Sequence, residues 1–201
     1  MNRIVRTTLV TAVSVAALGG LVGSGRTAPE VRTPEPAPVQ AAPPPPPVSV
    51  RHEARPVGRP THLSIPAITV SERLHGVGLK ANGAMQTPDF GDAGWYDLGP
   101  RPGAPGPAVL VAHVHGPAGD DVFARLHELA PGDRVTVERT DGRSTFVVES
   151  VERAGKDRLP YDRIWNETDR SVLRLITCGG TPDPVTRMYP DNTIVFARLA
   201  P

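Results

Sequence analysis

The sequence predicts a mainly β domain, a sandwich or a barrel with one or two short helices, over residues 61–201. An N-terminal membrane segment and a Pro-rich linker precede it. Two observations carry this. Seven short β-prone runs are separated by turn signals, and proline and glycine crowd into one stretch of the chain. Of 24 prolines, 11 fall within residues 28–60 and 13 in the remaining 141 residues of 61–201. That remainder is the size of one ordinary domain. Glycine shows no three-residue period, which excludes collagen. A single long apolar stretch excludes a polytopic membrane protein.

Residues 1–27 read as a signal or a signal anchor. Arg3 and Arg6 precede 19 uncharged residues, Thr7 to Gly25, and the next charge is Arg26. That length is about the minimum for crossing a ~30 Å hydrocarbon core at ~1.5 Å per residue. No A-x-A site follows the run, which favours an uncleaved anchor over a cleaved secretory signal. Either way the basic end stays inside and the rest is exported.

Residues 28–60 include an unbroken Pro43–Pro47 run. Proline lacks the amide donor and restricts φ, so this stretch builds neither a helix nor a central strand. It is expected to be extended and polyproline-like, reaching up to about 100 Å at ~3.1 Å per residue. Its plain role is a spacer that holds a domain off a membrane.

The β-prone runs are His62–Val70, Leu74–Leu79, Ala108–His115, Arg134–Arg139, Ser144–Arg153, Ser171–Cys178 and Thr193–Leu199. Turn signals between them include Ala81–Gly83, Pro131–Asp133, Asp141–Gly142 and Pro190–Asn192. Short strands with closely spaced turns argue for a sandwich or barrel. One helix is predicted at Asp121–Leu129, with Phe123, Leu126 and Leu129 facing the core and Asp120 or Asp121 capping its start. A second helical turn is expected near Leu159–Trp165. With nine aromatic residues in the whole chain, Val, Leu and Ile must build the core.

Charge divides along the chain. Residues 1–60 carry seven arginines and three glutamates, a net +4, whereas 61–201 carry 15 bases and 18 acids, a net −3. A net-acidic domain lacks the basic face of a nucleic-acid binder.

The one cysteine, Cys178, cannot form an intramolecular disulfide. It ends the run SVLRLIT and precedes Gly179 and Gly180, which suits a side chain exposed at a strand end better than one in a core. A thiol attacks as the thiolate and needs a nearby base or positive charge. Among six histidines, His113 and His115 end another predicted strand and, at i, i+2, point to the same side of it. That pair also suits zinc, given a third ligand such as Cys178 or an aspartate.

The string LRLITCGG at 173–180 resembles the catalytic strand of the sortases, with its T-L-x-T-C signature. TCGG followed by Tyr189, Asp191, Asn192 and the strand Thr193–Phe196 is similar to the class F sortases of actinobacteria. LSIPAITV at 63–70, GWYDLGPRPGAPGPAVLVAHV at 94–114 and VFARLHELAPGDRVTV at 122–137 resemble further family segments in family order. The resemblance spans nearly all of 61–201. It implies an eight-stranded β-barrel, a membrane-anchored cysteine transpeptidase with its catalytic domain outside the cell, and no metal or organic cofactor. Cys178 matches the nucleophile, His113 the catalytic histidine, and Arg187 the essential arginine, with Arg198 as competitor. Thr177 matches the threonine before the nucleophile, which helps to position substrate. The implied partners are LPXTG-type surface proteins and a cell-wall amine or other amine acceptor. Two departures stand out: Ala112 replaces the usual Gly before the histidine, and His115 replaces a frequent Asp two residues after it. A cysteine peptidase with water as acceptor, or a non-catalytic wall-facing module, is the alternative.

Overall fold

The alternation in the predicted runs sorts side chains onto two faces, and a computed structural model describing residues 56–201 shows where each face goes. The 1–27 segment and the linker up to residue 55 lie outside the described residues. The strands are β1 (Pro60–Ile65), β2 (Val70–Val77), β3 (Ala93–Tyr96), β4 (Gly106–Ala112), β5 (His115–Gly116), β6 (Gly119–Asp120), β7 (Arg134–Arg139), β8 (Gly142–Gly155), β9 (Ser171–Gly179) and β10 (Asp191–Leu199). Eight of them close a barrel in the order β1-β2-β3-β4-β9-β10-β8-β7, and β5 pairs with β6 in a small ribbon. No helix among the described residues is long and apolar enough to cross a membrane.

The barrel interior is built from alternate residues, including Leu63, Ile65, Leu110, Val135, Val137, Phe146, Leu173 and Leu175, all at most 1 % exposed. The other face of β4, β9 and β10 is covered as well. Tyr96, Val109, Ile164, Ile194 and Phe196 form a second cluster there, with Leu79, Met85, Leu159, Trp165 and Ile176 packed against it. This explains the continuous apolar run in β4, which pairs in parallel with β9. Parallel strands buried on both faces need no polar alternation.

Several local expectations change. The run His62–Val70 is broken after Ile65 by a 3-10 turn, Pro66–Ile68, where proline cannot supply a ladder amide. β3 was absent from the seven runs: four residues, all buried, with no alternation to reveal them. The predicted Asp121–Leu129 helix is reduced to a 3-10 turn at Leu126–Glu128. Phe123, Leu126 and Leu129 are nevertheless buried. Their strict three-residue spacing is the 3-10 period of three residues per turn. Neither aspartate caps that turn. The second helical turn exists as α1 (Tyr161–Ile164). The end of the predicted linker is already tied down: Gly58 N–H donates to Asp141 Oδ2 (2.8 Å) and Arg101 donates to the Val57 carbonyl (2.7 Å).

Candidate active site

Cys178 is the penultimate residue of β9 and half-buried. In the register it faces Asn192 of β10, so it shares a face with Ile176 and the outer apolar cluster. The chain can turn away immediately after it because of two glycines. A Cβ on Gly179 would lie 3.0 Å from the Thr193 backbone nitrogen, and Gly180 adopts φ +83. Only glycine meets both demands cheaply.

The loop after β2 and the segment around α1 rise on either side of β4 and β9. Between them lies a groove of about 430 Å³. Leu79, Met85, Val111, Leu159, Trp165 and Ile176 make it largely apolar, and Cys178 and His113 both line it. The α1 wall is held from below by polar anchors. Arg163 makes a two-pronged bond to Glu152 (2.6 and 2.7 Å) and stacks over Phe196 at 4.5 Å. Buried Arg174 donates to the Arg163 carbonyl (3.2 Å) and to Asn166 Oδ1 (3.1 Å). Burial pushes the Arg174 guanidinium down to about 10. Arg163 beside Glu152 holds that carboxyl below its ordinary range.

The two histidines do not share a strand face. β4 ends at Ala112, and the chain bends through His113 and Val114 before β5 begins at His115. The i, i+2 expectation therefore fails, because it holds only inside a continuous strand. His113 enters the apolar groove. Its Nε2–H donates to the Pro88 carbonyl (3.0 Å), and the Phe90 ring lies 4.5 Å away. This bond places the proton on Nε2 and leaves Nδ1 as a base. His115 instead has both nitrogens engaged: Nδ1 accepts from the Tyr189 hydroxyl (2.9 Å) and Nε2 faces Asp120 Oδ1 (3.2 Å). Asp121, expected as a cap, accepts from Gly91 N–H (3.0 Å) and Val122 N–H (2.7 Å), which anchors the Pro88–Phe90 stretch beside His113. Among the described residues no three His, Cys, Asp or Glu side chains are grouped to hold a metal.

Thr177 points inward and is buried. Its hydroxyl donates to the Ala112 carbonyl (2.7 Å). That bond ties the residue before Cys178 to the residue before His113. Arg187 sits in the loop between β9 and β10 with φ +60, a conformation few arginines adopt. Asp183 organises this loop, accepting from Val185 N–H (2.9 Å), Thr186 N–H (2.7 Å) and Thr186 Oγ1 (3.0 Å). These bonds hold the Asp183 carboxyl below its usual range. Arg187 and Cys178 line a second cavity, distinct from the apolar groove. Arg198 lies elsewhere, well along β10 opposite Val172, where it pairs with Glu149 (3.3 Å). Cys178 makes no hydrogen bond to His113 or Arg187 among the described residues, a separation usual before substrate binds.

Sequence reasoning missed one neighbour of the sulfur. Lys156, just past the end of β8, brings Nζ to 3.7 Å from Cys178 Sγ. It also missed the Pro88–Phe90 stretch at His113. Both lie in loops with no periodicity to betray them.

The family model for the Sortase domain matches residues 63–200. Solved structures similar to the chain include sortase C1 of Streptococcus agalactiae (20 % identity, TM-score 0.53, covering 70 % of this chain and 66 % of that one). Sortase C-1 of Streptococcus pneumoniae has 19 % identity, TM-score 0.53 and coverage of 70 % and 66 %. Sortase C1 of Streptococcus suis has 15 % identity, TM-score 0.56 and coverage of 72 % and 74 %. For the first two, the chain spans slightly less than two thirds of the solved structure's length. No curated protein matches the chain.

Proposed function

The chain belongs to the sortase family, and we propose that it cleaves an LPXTG-type sorting signal between Thr and Gly and joins the new acyl end to an amine. The observation that carries this is the placement of Cys178 at the end of an apolar groove that His113 also lines. The apolar walls suit the Leu and Pro side chains of such a signal.

In this mechanism the Cys178 thiolate attacks the Thr carbonyl carbon. A C–S bond forms, and negative charge moves to the oxygen. Arg187 offers planar N–H donors to that oxyanion. The C–N bond then breaks, and His113, protonated, gives its proton to the departing Gly amine. A thioester remains. An incoming amine attacks it, His113 takes the amine proton, and the C–S bond breaks to restore the thiolate. Thr177 positions the nucleophile through its bond to Ala112.

The uncharged run at 7–25 and the Pro-rich 28–60 support a single membrane anchor with the barrel held outside the cell. Protease digestion of intact cells should remove the barrel; full protection would reject that placement. TCGG and the Tyr189-Pro-Asp-Asn string support the class F branch.

The direct test incubates the full chain with LPXTG-type peptides, with and without an amine, beside Cys178→Ala. Thr–Gly cleavage with amine capture, and a dead variant, are expected. Cleavage by Cys178→Ala would sink the mechanism, and products that contain only water-derived acid at every amine concentration would mark a peptidase.

A further inference from the structure

Cys178 lines two cavities that differ in charge. Besides the apolar groove there is a larger one, about 790 Å³. Thr177 and Cys178 are the only residues common to both linings. Arg153, Arg187, His115 and His127 line the larger cavity, and no Asp or Glu does. Arg153 is placed by the barrel register: it faces Thr193 of β10, which faces Thr177 of β9. Neither the Arg153 nor the Arg187 guanidinium has an ion-pair or hydrogen-bond partner among the described residues. Elsewhere among the described residues Arg125, Arg139, Arg163 and Arg198 are each paired with a carboxylate, whereas Arg134 and Arg143 are not; what sets Arg153 and Arg187 apart is that they line one cavity together.

A concave site lined by unpaired cations concentrates anions. Guanidinium forks match carboxylate and phosphate oxygens. The same field opposes entry of a bare ammonium group. An amine reaching Cys178 from this side therefore gains most if it carries an anion of its own.

We propose that this cavity receives the acceptor, and that it selects amines bearing a nearby carboxylate or phosphate. This rests on the transpeptidase reading above, in which the apolar groove takes the acyl side of the donor. The leaving amine and the incoming amine then share this second cavity, which meets the groove lined by His113 at Thr177 and Cys178. Arg153 would hold the acceptor's anion while the neutral amine nitrogen attacks the thioester carbon. The N–C bond forms, the C–S bond breaks, sulfur leaves as thiolate, and the amine proton passes to His113.

The test has two arms. In the first, no donor is used. Alkylation of Cys178 by iodoacetamide is timed by mass spectrometry on the full chain. Glycylglycine is compared with glycylglycinamide, and O-phosphoethanolamine with ethanolamine. The member that carries the carboxylate or phosphate of at least one pair should slow alkylation, and its counterpart without that anion should not. Arg153→Gln should weaken that protection about tenfold, the size of one lost charged contact, while Arg153→Lys retains much of it. Protection by the carboxylate alone would mark a peptide-type acceptor, and by phosphate alone a phosphate-bearing one. Equal behaviour of the amines with and without an attached anion, or no change in Arg153→Gln, would overturn the proposal. In the second arm an LPXTG-type donor is added and products are partitioned between the same amines. Failure of donor cleavage there would reject the transpeptidase reading, while the protection data still decide the charge selectivity of the cavity.

Discussion

The Lys156 ammonium lies 3.7 Å from the Cys178 sulfur, and the Lys156 main chain is anchored close by. Lys156 N–H donates to the Pro190 carbonyl (3.1 Å), just beyond the Gly155–Asp191 pair that ends the β8–β10 ladder. A cation beside sulfur favours the reactive thiolate. Lys156→Met should slow alkylation of Cys178 by iodoacetamide at neutral pH about twofold to fivefold, the worth of one exposed charge contact. Lys156→Arg should recover most of the rate. An unchanged rate in Lys156→Met would make the contact incidental.

The Thr177 hydroxyl ties the strand end that carries Cys178 to the strand end that leads into His113, through the Ala112 carbonyl. Thr177→Val keeps the volume but removes a buried hydrogen bond to the Ala112 carbonyl, which costs about 1 kcal/mol. Urea unfolding should register that loss, and kcat should fall because β4 and β9 lose their tie at the site. Thr177→Ser keeps the donor and should restore kcat more than it restores packing. Full activity in Thr177→Val would show that strand pairing alone sets the geometry.

The Glu152–Arg163 pair should make the α1 wall acid-sensitive. The Glu152 carboxyl is held below its ordinary range, first by Arg163 and then by Ser150. A depressed folded-state value means that the pair's stabilisation is full above the ordinary carboxylate value and is lost as pH falls through the lowered one. At this exposure the pair is worth about 1 kcal/mol or less. Glu152→Gln should therefore raise KM for the donor peptide at neutral pH and flatten the acid-side loss of stability. A KM equal to that of the parent would detach α1 from donor binding.

Arg187 and Arg198 should behave differently when truncated. Arg187 lines a cavity with Cys178, whereas Arg198 faces Val172, six residues along β9 from Cys178 and on the order of 20 Å away at ~3.3 Å per residue. Arg187→Ala should reduce kcat at least a hundredfold, the scale of a lost oxyanion donor. Arg198→Ala loses only the exposed pair with Glu149 and should stay near parent activity. Similar activities in the two variants would remove Arg187 from the chemistry.

Much of the barrel was legible because strand alternation is a local property. Val135 and Val137, or Leu173 and Leu175, announce an inner face without reference to any other strand. Cys178 was legible for a similar reason, since a strand end followed by two glycines is read in one place. β3 was not, because four residues buried on both sides carry no period. The length of the predicted helix misled because three-residue spacing fits a 3-10 turn as well as an α-helix start.

By itself the sequence determined a β domain, its inward residues, and the candidates Cys178, His113 and Arg187. Only the tertiary structure decided which face each imidazole reaches. The bend after Ala112 sends His113 to Pro88 and Phe90, and His115 to Tyr189 and Asp120. Barrel closure likewise brought Lys156 to Cys178 and made the sulfur part of both an apolar groove and a cavity lined by Arg153 and Arg187. Apart from the local His115–Asp120 pair, the partners in these contacts are 22 to 74 residues apart. Local patterns specify strands and turns, but contacts between distant loops exist only once the closed ladder fixes where every strand ends.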